Sequence, residues 1–264
     1  MIPYFQLTTI LFGPLTLNVW GLLAAIGFLV GAFVAGRRAR AQGMDGALVW
    51  DAMWQVVVVS LLGSRLFEVF FYEPRYYWQH PQKIVAFWDG GLSSTGGIIF
   101  AGLFLYWFIK KQKLPLLPWL DIFAYAAPLG IMFGRIGCFF IHDHPGTLTS
   151  FIGGVRYSDG IRHDGGLEMA IADAFIFFLF FLLRKKKLPP GFFAIAFIGL
   201  KGLARFTLDF FRATDIKLSE ARYAGLTPSQ YAGLLAVVVI IYWHARSHQW
   251  LSKIKSATEH SSIV

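Results

Sequence analysis

The chain has 264 residues, 56% of them hydrophobic, 17% aromatic and only 15% charged, with a mean hydropathy of +0.56. That balance excludes a soluble domain of this length and leaves a membrane protein, read as one polytopic domain over residues 1–264. The net charge of +9 sits in short clumps beside apolar runs, which excludes nucleic acid as a partner, and the single cysteine, Cys138, excludes an internal disulfide and a multi-cysteine metal centre.

The N-terminal Met1-Ile-Pro-Tyr-Phe lacks a basic region and a small-residue cleavage site, so the first apolar run is expected to be a retained span. A bilayer core needs about 20 apolar residues per helix, because backbone groups facing lipid must be satisfied internally. Seven stretches meet that demand in chain order: Leu15–Gly36, Val49–Phe71, Gly96–Ile109, Leu120–Ile141, Leu167–Leu183, Phe192–Phe211 and Pro228–Trp243. The fold expected is therefore an all-α integral membrane protein with about seven transmembrane helices.

Every second connection is basic. Arg37, Arg38 and Arg40 follow the first span, Lys110, Lys111 and Lys113 the third, Arg184 to Lys187 the fifth, and Arg246, Lys253 and Lys255 the seventh. The positive-inside bias then places the N-terminus outside and the C-terminus in the cytoplasm of a bacterial cytoplasmic (inner) membrane. The remaining loops, at about 73–95, 142–166 and 212–227, face outward and are rich in Tyr, Trp, His and Gly. Tyr76-Tyr77-Trp78 with Phe87-Trp88 reads as an interfacial anchor.

Ionisable residues inside spans are costly, and by default they mark functional sites or paired structural groups. Arg65 and Glu68 lie three apart in the second span. Arg205, Asp209 and Arg212 step by four and three at the end of the sixth, so each set shares a helical face. For Arg65 a buried pair with Glu68 is as good a reading as a binding role. Arg135 stands in Gly134-Arg135-Ile136-Gly137 without an acidic neighbour at helical spacing, and the glycines allow close approach to its guanidinium. Arg135 and Arg205 near the outer span ends suit a phosphodiester, so spacing alone points to a site for an anionic phospholipid of the bilayer.

The first outward polar cluster is His142-Asp143-His144-Pro145-Gly146, echoed by Arg162-His163-Asp164-Gly165-Gly166. Its spacing admits three readings: a divalent metal, general acid–base chemistry, or a hydrogen-bonded loop scaffold. No metal or other cofactor is expected. Cys138, one turn beyond Arg135, reads as small apolar packing or, less simply, as a thiolate beside a cation.

At these residues the chain resembles the bacterial phosphatidylglycerol prolipoprotein diacylglyceryl transferases. The resemblance rests on Phe12-Gly13-Pro14-Leu15 leading into Trp20-Gly21-Leu22, Gly63-Ser64-Arg65-Leu66, Gly134-Arg135-Ile136-Gly137, Arg162-His163 with Leu167-Glu168, and Arg205 with Asp209-Phe210-Phe211-Arg212. It implies transfer of the diacylglyceryl group of phosphatidylglycerol to the lipobox cysteine thiol of preprolipoproteins, whose signal peptides would be partners. It also implies Arg135 and Arg205 as the essential pair, Asp209 orienting Arg205, and Arg65 and Glu68 as secondary site residues. Thr95, Gly96, Gly97, Gly134, Gly137, Arg162, His163 and Arg212 complete the expected substrate-binding set. The chain departs from the family pattern where Thr95 stands before Gly96-Gly97 in place of a histidine, where Cys138 follows the signature in place of an asparagine, and where Trp20 replaces a tyrosine. Either His142 or His144, beside Asp143, takes over proton removal, or the local positive field ionises the thiol, or the substrate differs. The competing functions are another phospholipid headgroup transferase, a metal-dependent hydrolase built on the His-Asp loop, and a non-catalytic lipid-binding member of the fold.

Overall fold

The computed structural model describes residues 1–13, 15–87, 91–216, 222–227, 229–238 and 240. It is mostly helical. Four helices are long and apolar enough to cross a membrane: Val19–Ala41 (α1), Ala47–Tyr72 (α2, whose last turn, Glu68–Tyr72, is π-helical), Leu116–Ile141 (α5) and Gly165–Leu183 (α6). The short α3 (Pro74–Gln79) follows α2, α4 (Ser94–Lys111) and α7 (Phe192–Leu208) lie where the third and sixth spans are expected, and α8 (Ser229–Val238) is a shorter apolar helix. Large apolar side chains stand exposed along these helices, including Ile98 at 73%, Leu103 at 64% and Phe175 at 59%. Exposure on that scale is tolerable only against hydrocarbon.

Two expectations change. The chain is not all-α: Leu15–Asn18 (β3), placed in the first span from hydropathy, pairs with Thr9–Phe12 (β2) as an antiparallel hairpin, and α1 begins only at Val19. Alternating Leu15, Thr16, Leu17 and Asn18 has the two-residue period of a strand, and Gly13 supplies the positive φ of +59° at the turn. The loop expected at 142–166 is a small sheet in the order β1-β5-β6-β4, from Ile2–Pro3, Val155–Tyr157, Gly160–Asp164 and Pro145–Leu148. In it β1 runs parallel to β5, with Ile2 opposite Val155, and the other pairs are antiparallel. Trp88, the whole tail with Arg246, Lys253 and Lys255, and part of Pro228–Trp243 lie outside the described residues.

The molecule divides into two compact units, Met1–Gly31 with Ala124–Val264, and Ala32–Phe123. In the second, α2 and α4 meet at glycines. A Cβ on Gly63 would lie 2.3 Å from the ring of Phe100, and one on Gly96 2.5 Å from the carbonyl of Gly63. Lipid gives little drive for helix association, so this close backbone contact supplies it through dispersion. In the first unit the same device joins α1 to α5, where a Cβ on Gly27 would sit 2.3 Å from the Gly130 carbonyl oxygen.

Candidate functional site

In the unit of residues 32–123, Arg65 is buried and turned onto backbone. Its Nε donates to Ile84 O at 2.9 Å, Nη1 to Gly91 O at 2.8 Å, and Nη2 to Lys83 O at 2.6 Å and Ala86 O at 2.7 Å. Tyr77 and Phe87 face the guanidinium at 5.2 and 5.7 Å. The cation thus ties the 83–91 connection to α2, and this carbonyl cage absorbs a charge that hydrocarbon alone would not accommodate. Glu68 opens the π-helical turn. Gly96 and Gly97 are spent on helix packing, Gly97 against Ser64 Oγ, and the side chain of Thr95 lies outside what the structure describes.

The other unit gathers the remaining residues. Asp164 caps α6 by accepting from Leu167 N at 2.9 Å. The same carboxylate accepts from His142 Nδ1 at 2.7 Å and from Tyr157 Oη at 2.8 Å. The His142 ring is fully buried, stacked on Tyr4 at 4.7 Å with the edges of Phe5 and Phe139 around it, and Nε2 has no hydrogen-bond partner among the described residues. His142 also carries a φ of +50°, which turns the chain sharply out of α5. Burial next to Asp164 pushes the Tyr157 phenol up, so it stays a hydroxyl donor.

Arg162 is bound within its own loop. It donates to Asp159 at 2.7 Å, Asp215 at 2.6 Å and the Gly146 carbonyl at 2.8 Å. Its hydrogen bonds hold both exposed carboxyls below their usual range, and they in turn raise the guanidinium. His163 pairs with Glu168 at 2.5 Å and stacks on Phe211 at 4.6 Å.

A pocket opens among His144, Gly146, Gly165, Glu168, Arg205, Asp209 and Arg212. Arg205 Nε lies 3.4 Å from Asp209, and its Nη2 donates to Ser229 Oγ at 3.1 Å. Asp209 is fixed from its far side by the Thr227 hydroxyl at 2.7 Å. Asp209 stands in a 3-10 turn and Arg212 has extended backbone, so the helical face expected for Arg205, Asp209 and Arg212 ends before Arg212. Deeper in the helices, Lys201 of α7 holds both carboxylate oxygens of Asp173 of α6 at 2.5 and 2.6 Å. Arg135 is half-buried on α5 and acts electrostatically on both members of that pair. Its guanidinium makes no hydrogen bond or ion pair with any described residue. Gly134 leaves open space beside it, whereas Gly137 packs against Trp20.

His144 contacts Asp143 through Nδ1 and lies beside Cys138. Burial alone would lower its pKa, but hydrogen bonds with Asp143 and Cys138 outweigh that and bring it up to about 9.

Asp173 and Lys201 escaped the sequence reading although each lies in a predicted span, where any ionisable residue is a signal. Glu168 belonged to a motif without a role. Tyr4 and Tyr157 carried no such signal, and Asp164 stood out only as part of the second His-Asp cluster, because only the fold brings these residues to His142.

Basic and acidic side chains converging among apolar helices, beside a cavity lined by arginines, define a helical membrane protein with a charged intramembrane site. The prolipoprotein diacylglyceryl transferase family model matches residues 7–246, and the chain belongs to that family. It is 31% identical over 253 residues to the phosphatidylglycerol–prolipoprotein diacylglyceryl transferase of Nitratidesulfovibrio vulgaris (strain DP4), covering 92% of this chain and 95% of that protein. The protein of the same name from Geobacter sulfurreducens is 33% identical over 217 residues, 78% of this chain and 82% of its own. That from Nitrosomonas europaea is 32% identical over 254 residues, covering 92% and 91%.

Proposed function

We propose that the chain transfers the diacylglyceryl group of phosphatidylglycerol to the thiol of a lipobox cysteine in a preprolipoprotein. The observation that carries this reading is the Arg135 guanidinium, half-buried on a spanning helix and without a hydrogen-bond partner among the described residues, in electrostatic reach of Asp173 and Lys201. A desolvated guanidinium fork of that kind is complementary to a phosphodiester and gains strength as charge develops on the leaving group. In the reaction the acceptor sulfur bonds to the glycerol carbon and the carbon–oxygen bond to phosphate breaks. The electron pair stays on the released glycerol phosphate, and the thiol proton goes to solvent. Arg135 and Arg205 take up the negative charge, and Asp209, held by Thr227, orients Arg205. His144, with Asp143, borders the cavity where the thiol would enter. His142 and His163 act from behind, by fixing the loop and Glu168, and Arg162 and Arg212 secure the same rim.

The same reading takes the chain as one multi-pass body of the bacterial inner membrane, with seven spans, the N-terminus outside, the C-terminus in the cytoplasm and the outer loops at about 73–95, 142–166 and 212–227. Alternating basic connections support it. In the unit of residues 32–123, Arg65, Glu68, Gly96 and Gly97 serve packing and loop anchoring within that unit.

Complementation tests the function. Expression in cells depleted of their own transferase should restore lipidated lipoprotein, and Arg135→Ala or Arg205→Ala should abolish it. A wild-type chain that reaches the membrane in quantity and leaves lipoproteins unmodified would defeat the proposal.

A further inference from the structure

Cys138, Asp143 and His144 place one sulfur, one carboxylate oxygen and one imidazole nitrogen within 4.8 Å of one another. Tetrahedral zinc, with bonds of about 2.0–2.3 Å, holds its ligand atoms about 3.3–3.8 Å apart, so small side-chain rotations close the site. We propose that these three residues bind a thiophilic divalent cation, zinc in the first place, whose open position receives the acceptor thiolate.

The frame is built on backbone that other contacts fix. Cys138 is buried near the end of α5. The His144 carbonyl accepts from Gly165 N at 2.9 Å, and the next residue, Pro145, pairs with Asp164 in the sheet. His144 also lines the cavity shared with Arg205, Glu168 and Arg212. Thus the cluster joins a buried sulfur to an imidazole that lines the substrate space.

The donor set decides the ion. A thiolate with an imidazole and one carboxylate is too soft for magnesium or calcium and matches zinc. Three protein ligands with a vacant fourth position is the pattern of catalytic zinc, whereas structural sites are closed by four.

The chemistry rests on the transferase reading. Coordination to the cation deprotonates a thiol outright, the proton passing to solvent, and leaves a thiolate at neutral pH. That thiolate forms the sulfur–carbon bond while the phosphate oxygen keeps the pair from the broken carbon–oxygen bond. The step needs no oxidant, reductant or separate protein base.

The test uses the full-length chain in lipid nanodiscs, stripped with chelator and re-equilibrated with zinc or cobalt chloride. One zinc per chain is expected by elemental analysis, with a sulfur-to-metal charge-transfer band in the cobalt form. Cys138→Ser and His144→Ala should each weaken binding by ~100-fold or more. The cobalt spectrum of the wild-type chain keeps the proposal falsifiable even where a variant misfolds. Absence of stoichiometric metal, a cobalt form without the sulfur band, or wild-type affinity in Cys138→Ser would each overturn the site. Transfer to a lipobox peptide should fall on metal removal and return with zinc; full activity of the stripped chain would overturn the thiolate role. A loaded chain that holds zinc through Cys138 but transfers nothing would refute the transferase reading and leave the metal site standing.

Discussion

Lys201 Nζ grips both oxygens of the Asp173 carboxylate, at 2.5 and 2.6 Å, and that carboxylate is wholly buried between α6 and α7. Removing either partner strands the other charge in a medium that cannot solvate it. Such a loss costs about 3–5 kcal/mol, whereas replacing both by uncharged groups of similar volume is close to neutral. Asp173→Asn and Lys201→Met should each lower the thermal midpoint sharply in detergent, and the double variant should recover most of the loss. Additive losses in the double-mutant cycle would show the pair to be uncoupled.

Arg135 has the opposite signature. Because it makes no hydrogen bond with a described residue, Arg135→Ala should leave the unfolding midpoint nearly unchanged while transfer falls by about 10²–10³-fold, the usual effect of deleting one transition-state donor. Arg135→Lys should recover only part of the rate, since an ammonium loses the bidentate fork. A variant that unfolds early and keeps its specific activity would contradict this.

The Arg162 clasp makes a pH prediction. Asp159 and Asp215 have folded pKa values below the unfolded value near 3.8. Groups of that kind contribute stability that is present above the unfolded pKa and lost as pH falls through the folded one. The difference in thermal midpoint between wild type and Arg162→Ala should therefore be steady from pH 7 to about pH 5 and shrink below about pH 4. Both carboxylates are largely exposed, so the difference should be small and salt-sensitive.

Asp164 serves two masters, the α6 N-terminus and the His142–Tyr157 pair. Asp164→Ala removes a helix cap and leaves a buried imidazole without its acceptor, about 1 kcal/mol for the first and 1–3 kcal/mol for the second. Tyr157→Phe removes one donor to an acceptor that keeps others, and should cost less. Equal destabilisation by the two changes would place the weight on Tyr157.

Hydropathy and charge alternation made the helical, membrane-embedded class readable from the sequence, because lipid imposes length and composition directly on each span. The strands were not readable: four residues such as Leu15–Asn18 are apolar enough to merge with a neighbouring helix, and β1 owes its existence to a partner more than 150 residues away. Within the site, Arg205 and Asp209 were legible because i,i+4 spacing is local. Arg65 was ambiguous for the same reason, since sequence offers Glu68 as its neighbour while the carbonyls of Lys83, Ile84, Ala86 and Gly91 surround it only after the chain folds back. Asp173 and Lys201 belong to different helices, 28 residues apart, and no periodicity links them.

The two residues of β1 have a consequence for biogenesis. Ile2 and Pro3 leave the ribosome more than 150 residues ahead of their partners, Val155 and Arg156. Until α1, α2, α4 and α5 have been synthesised, that edge has nothing to pair with, and closing so long a loop comes at an entropic cost that grows with the intervening chain. The β-structure around His142 is therefore a late-setting clasp. A bulky fusion placed ahead of Met1 should delay its closure far more than one placed in a helix connection, and a ribosome-stalling series read out by protease protection would time the event.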